Sequence, residues 1–307
     1  MIKKIRIVLL LLVICIVLVF ISSKLIFQKH WIGDYQVQID KNLKTVYICG
    51  YRGDEEVVIP SEIGPFKVRY ISADTFRDNK DIKSIFIPAG YDSVLQFIGC
   101  SNLRKIEFEE GISVVNVCVN GCPILKEIII PEGVEIIEGW YVFCPMLSDI
   151  KFPSTLKKAG KHDFERTNLY EMHKNEKYYV VGDGVLLFFN GDYNQDIIIP
   201  KGIKCFNDYI TKDETFQRKI YIPDTISILR TQVSDGDTFY FGDEVIDDLD
   251  LNCIDLGVEG TIVAPANSFI EQFCKENGYN FRVMTDEEEK TWRELTEAAA
   301  SEITYQY

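Results

Sequence analysis

The chain has 307 residues, 47% of them hydrophobic and 26% charged, which is enough for two ordinary domains or for one extended array with a continuous core. Its formal charge is −14, and every Asp and Glu lies after residue 30. That acidity argues against nucleic acid or anionic lipid as a partner.

The first residues read MIKKIRIVLLLLVICIVLVFISSK, with Lys3, Lys4 and Arg6 ahead of an apolar run from Ile7 to Ile21. The run falls between the roughly 7–15 residues of a signal-peptide core and the roughly 17–25 of a spanning helix, so its flanks decide. No small-x-small cleavage site stands between Phe20 and Trp31, and Cys15 follows Ile14 rather than the small residue that a lipidated cysteine needs. The expectation is an uncleaved membrane helix at residues 7–23, with secretion after signal cleavage as the alternative. The basic front end then stays in the cytoplasm and residues 31–307 lie outside, although Lys24 and Lys29 soften that bias. No second hydrophobic span follows.

Beyond residue 31 the dominant signal is repetition. Aligned on Cys100, Cys122 and Cys144, the chain reads CSNLRKIEFEEGISVV, CPILKEIIIPEGVEII and CPMLSDIKFPSTLKKA. Leu103, Leu125, Leu147 and Leu169 form one apolar column, and Ile106, Ile128, Ile150 and Met172 a second. Phe108, Ile130 and Phe152 form a third, and Ile112, Val134 and Leu156 a fourth. An apolar-Pro pair marks the same unit at Pro60, Pro88, Pro131, Pro153, Pro200 and Pro223. In each unit a short strand turns alternate residues inward and stops at the proline, which has no N–H to give a ladder. One unit cannot bury its own apolar face. Stacking units about 4.8 Å apart pairs the strands and closes a common core, so the expected fold is mainly β, a solenoid of stacked coils of about 22–23 residues.

Within the array, Tyr178 to Asp192 has two apolar runs split by Gly182-Asp183-Gly184, the pattern of a β-hairpin. The acidic run Asp243 to Glu259 partly matches a calcium loop through Asp248, Asp250, Asn252 and Glu259, but Cys253 stands where the sharp-turn glycine belongs, so a solvated coil edge is expected there. A short capping helix is predicted over 267–277, with Asn267 as its cap, Phe269, Ile270, Phe273 and Cys274 as its apolar stripe, and Gly278 as its end. Thr285 to Glu288 fits a capping box, and Trp292, Leu295, Ala299 and Ile303 fall near helical spacing. The stripe is thin, so a frayed acidic tail over 285–307 is expected ahead of a partner-binding helix.

The units at Cys100/Leu103/Ile106, Cys122/Leu125/Ile128/Ile130/Pro131 and Cys144/Leu147/Ile150/Pro153 resemble those of the BspA-like leucine-rich repeat proteins. Residues 35–76 are similar to that family's entry, through Tyr51 to Asp54, Val57 to Pro60 and Ala73 to Phe76, and Ala264 to Tyr279 is similar to its closing helix. Arg166 departs from the pattern by filling the next cysteine position, and the repeats near 160–195 and 230–260 are irregular. The resemblance implies a leucine-rich repeat domain over 31–284, a role in surface binding or adhesion, and no common catalytic residues.

Candidate chemistry is sparse. Cysteines 22 residues apart match no zinc pattern, and parallel side chains on stacked coils rarely reach a disulfide torsion. Cys100, Cys122 and Cys144 are therefore expected as a buried column of thiols. His30, His162 and His173 have no nucleophile or carboxylate at a recognisable motif spacing, and phosphate loops, G-x-S-x-G and H-E-x-x-H are absent. No catalytic residue, cofactor or metal is expected.

The positions between the inward columns form an outward ladder: Ser84/Phe86, Lys105/Glu107, Glu127/Ile129, Asp149/Lys151, Asp196/Ile198 and Lys219/Tyr221. Such a face is where stacked repeats bind, which makes Phe86, Lys105, Glu107, Glu127, Ile129, Asp149, Lys151, Ile198 and Tyr221 the candidate partner-binding residues. The expected function is that of a membrane-anchored cell-surface protein that binds an extracellular protein or glycan without catalysis. The alternatives are a wall or glycan hydrolase using paired carboxylates and a structural spacer. A hydrolase requires a deep cleft holding a carboxyl of raised pKa, a binder a broad strand face, and a spacer neither.

Overall fold

A computed structural model of the chain describes residues 29–90, 94–160, 164–208, 217–231, 236–251 and 260–306. The apolar segment 7–23, His162 and the calcium-loop positions Asn252 and Glu259 lie outside the described residues. Among those described, no helix is long and apolar enough to cross a membrane.

In chain order the strands are β1 (His30–Ile32), β2 (Tyr35–Asp40), β3 (Thr45–Tyr51), β4 (Glu56–Val58), β5 (Glu62–Ile63), β6 (Phe66–Ile71), β7 (Ser84–Ile87), β8 (Leu95–Ile98), β9 (Lys105–Phe108), β10 (Val114–Asn120), β11 (Glu127–Ile129), β12 (Ile136–Val142) and β13 (Asp149–Lys151). Helix α1 (Asn168–His173) precedes β14 (Tyr178–Val181), β15 (Val185–Phe189), β16 (Ile197–Ile198), β17 (Cys205–Asn207), β18 (Lys219–Tyr221), β19 (Ile228–Thr231), β20 (Thr238–Tyr240), β21 (Asp248–Leu251) and β22 (Thr261–Ala264). Helix α2 (Phe269–Asn277), β23 (Phe281–Val283), helix α3 (Asp286–Ala299) and β24 (Ile303–Tyr305) follow.

The 22-residue columns become rungs. Ile106, Ile128 and Ile150 pair directly in the parallel register of β9, β11 and β13. Each of Leu103, Leu125 and Leu147 is buried beside them, because inward alternation repeats from coil to coil. The first ladder is a five-stranded parallel sheet ordered β13-β11-β9-β7-β4, and β12-β10-β8 forms the opposite wall. A second ladder, β16-β18-β20-β22-β23, has β21-β19-β17-β15-β14-β24 as its opposite wall. The mainly β solenoid expected from the periodicity is thus the observed architecture, entered through the cap β1-β2-β3-β6-β5.

The predicted hairpin is present and has an architectural task. Strands β14 and β15 pair antiparallel, and every residue in both is buried. Tyr179, Val181, Val185, Leu187 and Phe188 pack into the first core, whereas Tyr178, Val180, Leu186 and Phe189 pack into the second. The hairpin is a wall between two cores, so YYVV and VLLFF are continuous apolar runs rather than alternating ones. Gly182 makes the tight passage, with φ +54° and a virtual Cβ only 2.5 Å from Leu156 Cβ.

Two sequence expectations are corrected at the C-terminal end. Helix α2 is capped by Ser268, whose side chain accepts from Glu271 N–H, while Asn267 adopts φ +62° one residue earlier. Asn tolerates that left-handed conformation, which leaves serine in the extended conformation a cap requires. The second correction concerns 285–306, which is not a frayed tail. Its capping box between Thr285 and Glu288 forms as the sequence predicts, and α3 then packs on the solenoid through Trp292, Thr296 and Ala299, all buried. Strand β24 pairs with β14, covering its open edge. One residue later the Gln306 side chain donates to Ile150 O at 2.8 Å and accepts from Phe152 N–H at 3.3 Å, joining the last strand to β13 of the first ladder.

Candidate binding face

The alternation that buries Ile85, Ile106, Ile128 and Ile150 turns their neighbours outward. Parallel register then sorts those neighbours into two rows across the first ladder. One row runs Glu56, Ser84, Lys105, Glu127, Asp149, and the other Val58, Phe86, Glu107, Ile129, Lys151. Phe86 and Ile129 are half-buried and Val58 is 64% exposed. No described element covers this face. The result is a strand face on which apolar side chains sit among charges of both signs.

Its electrostatics are local. Lys105 Nζ lies 2.8 Å from Glu107 Oε2 on the same strand. That hydrogen bond, with Glu127 nearby, raises the lysine's pKa. Like charges from Glu127 and Asp149 stand directly opposite each other on β11 and β13, an arrangement that destabilises slightly in isolation and favours a cation on that side of the row.

Ile198 and Tyr221 do not join this face. They pair in the second ladder, which continues through Tyr240, Val263 and Arg282. There Tyr221 is only 6% exposed and Tyr240 4%, their rings stacked at 5.0 Å. Helix α3 covers them, and Trp292 clusters with Tyr221, Tyr240, Val263 and Met284 while Ile198 and Leu295 pack alongside. The expectation that Tyr221 and Ile198 bind a partner is therefore corrected: their outward side is occupied by the chain's own helix. A signal for this exists in the sequence. The outward row of the second ladder is apolar at Ile198, Tyr221, Tyr240 and Val263, whereas that of the first is interrupted by Glu107 and Lys151. A sheet face that apolar needs a second layer.

At the N-terminus of α3 an open cleft of about 340 Å³ is lined by Lys219, Tyr221, Tyr240, Arg282, Thr285, Glu287, Glu288 and Thr291. Arg282 clamps Glu288 with bonds of 2.6 and 2.8 Å, which holds that carboxyl down at about 2. A carboxylate fixed this way is a poor proton donor at neutral pH. Asp248, the first calcium-loop position, is instead bonded by Arg230 and Lys158. Burial raises its pKa, and the two cations more than offset that rise.

The cysteine column is where the period placed it. Cys100, Cys122 and Cys144 are fully buried thiols. Cys100 Sγ donates to Phe76 O at 3.1 Å and Cys122 Sγ to Phe97 O at 3.5 Å. Burial pushes the Cys144 thiol up to about 11, and the neighbouring Cys100 together with burial raises Cys122. Among the described residues no cluster of His, Cys, Asp and Glu has the arrangement of a metal site. Sequence spacing gave His173 no carboxylate, but its Nδ1 lies 3.1 Å from Glu176, and its ring stacks on Tyr179 at 3.9 Å. This pair pins the end of α1 to the hairpin.

The family described as BspA type leucine rich repeat region matches residues 69–186 and 116–236, in six copies. No curated relative matches the chain. Among solved structures, a leucine rich cell surface protein from Faecalibacterium prausnitzii A2-165 is 13% identical with a TM-score of 0.32, over 88% of this chain and 97% of that one. The pneumococcal vaccine antigen PcpA is 13% identical with a TM-score of 0.31, over 85% and 99%. A leucine rich repeat protein of T. pallidum is 17% identical with a TM-score of 0.29, over 43% and 75%.

Proposed function

The chain belongs to the BspA-type leucine-rich repeat family, and from that premise we propose that it is a non-catalytic cell-surface protein that binds an extracellular protein through the first ladder. The carrying observation is the contrast between two equivalent faces: α3 covers the second ladder, while the rows holding Val58, Phe86 and Ile129 are left open. Apolar residues among charges of both signs, with Phe86 the one aromatic ring in the two rows, suit a protein surface better than a glycan, which favours stacked aromatic rings. The apolar segment at 7–23 holds the solenoid to a membrane with residues 31–307 outside. A hydrolase has less support, because the described carboxylates with displaced titration, Asp248, Glu271 and Glu288, all move down rather than up.

The test is capture by the full-length protein from intact cells or extracellular matrix, compared with a Val58→Asp/Ile129→Asp variant. Loss of capture in the variant supports the face. Capture retained rejects this surface, and absence of any captured partner favours the spacer.

A further inference from the structure

The cap ends in an exposed hairpin tip between β2 and β3. Asp40 Oδ1 accepts from Asn42 N–H at 2.9 Å and Leu43 N–H at 3.0 Å, which bends the chain and projects Leu43 into solvent at 71% exposure. Lys41 and Lys44 flank that leucine, and Lys67 joins them because β6 pairs with β3 at Thr45. All three lysines are exposed. Two residues along β3 from this end, Tyr47 and Tyr70 are paired at 6.2 Å and exposed by 40% and 43%. The acidic groups at this end are Asp40, occupied by the turn, and Glu62, opposite Lys67 on β5.

The direction of β1 relates this tip to the start of the chain. β1 runs antiparallel to β2 with His30 opposite Val37, so going backwards from His30 the strand heads toward Asp40 and the tip. Lys24 to Gln28 can reach at most about 18 Å, so a membrane that holds residues 7–23 would lie within about that distance of the start of β1. An apolar residue at the apex with lysines and tyrosines behind it suits a bilayer interface, where an apolar side chain enters the headgroup/acyl boundary and basic and aromatic side chains meet the headgroups.

We propose that the Leu43 tip, with Lys41, Lys44 and Lys67, rests on the anionic phospholipid headgroups of the membrane that holds residues 7–23, fixing the direction in which the solenoid stands. This rests on the membrane reading of residues 7–23 given above. The chain as a whole is acidic, so the rest of the solenoid is repelled by the same surface and only this end is drawn to it.

The full-length chain is reconstituted in vesicles of phosphatidylcholine with and without phosphatidylglycerol, and flotation and hydrogen exchange are measured on the same samples. Expected is flotation with both vesicles, and slowed exchange at Asn42 and Leu43 only where phosphatidylglycerol is present. In K41E/K44E/K67E that slowing is lost while flotation persists, since each charge is worth about fivefold and the three together on the order of a hundredfold. Leu43→Asp, at an exposed position, is expected to act in the same direction. Flotation without slowed exchange overturns the tip contact and leaves the membrane segment standing. Slowing that is equal in both vesicles, or that survives charge reversal, overturns the headgroup contact. Failure to float overturns both readings.

Discussion

The indole N–H of Trp292 donates to the carbonyl of Ile222 at 2.7 Å, across 70 positions of chain. That carbonyl belongs to the residue before Pro223, at the end of a rung, so one bond ties the C-terminal helix to the repeat. The ring also occupies the space over Gly242, where an added Cβ would lie 2.9 Å from Trp292 Cη2. Trp292→Ala is expected to cost about 3–5 kcal/mol in denaturant unfolding. Gly242→Ala is expected to destabilise the natural chain but to cost markedly less on the Trp292→Ala background. Additive losses would show that the indole does not set the size of residue 242.

Acid should loosen the same helix at its N-terminus. Glu288 is held at about 2 chiefly by hydrogen bonds from Arg282, helped by Thr285, against an ordinary glutamate value of about 4.3 in the unfolded chain. Because the folded value is the lower one, the stabilisation is fully present above about 4.3 and fades as pH falls toward 2. Unfolding followed by Trp292 fluorescence should therefore lose stability across that window. Glu288→Gln should lower stability at neutral pH and flatten the slope below pH 4.3. An unchanged slope would place the acid sensitivity elsewhere.

How far the molecule was legible follows from the range of each interaction. Columns at 22 residues predict the rungs because every coil solves the same burial problem, and Gly182-Asp183-Gly184 predicts the hairpin because its turn chemistry is local. The cap of α2 lies one residue beyond the Asn267 that the sequence predicts, since Asn267 and Ser268 are both good caps and only the backbone conformation separates them. Alternation correctly turned Phe86, Ile129 and Tyr221 away from the core, but alternation says which side a residue faces and not what lies on that side. The roof over Tyr221 depends on a helix some 70 residues away, and a stripe of Trp292, Thr296 and Ala299 looks thin until the size of the one indole is counted.

The two ladders should respond oppositely to the same kind of change. Val58 is largely exposed and Ile129 is half-buried on an uncovered face, so Val58→Asp and Ile129→Asp are each expected to move unfolding free energy by about 1 kcal/mol or less while abolishing capture of the partner. Tyr221→Asp places a carboxylate beneath α3 and should cost at least about 3 kcal/mol. Its capture should be unaffected in the protein that remains folded. Equal stability losses at Val58 and Tyr221 would mean that the first ladder is also covered.

A buried ion pair gives the sharpest stability contrast. Arg218 and Asp237 are both fully buried and bonded at 3.2 and 3.1 Å, and the Arg218 guanidinium also donates to the Tyr193 carbonyl. Tyr193 in turn donates from its hydroxyl to Asp208 at 2.9 Å, so the pair organises the turn that precedes β16. Asp237→Ala removes the carboxylate that neutralises a cation which cannot lose its proton, and is expected to cost about 3–5 kcal/mol. Replacing both partners, as Arg218→Met/Asp237→Leu, removes the charge and the need to neutralise it together. The double variant should therefore unfold in urea at a concentration much nearer the natural chain than Asp237→Ala does. If the double variant is the less stable of the two, the pair contributes net attraction beyond its own desolvation.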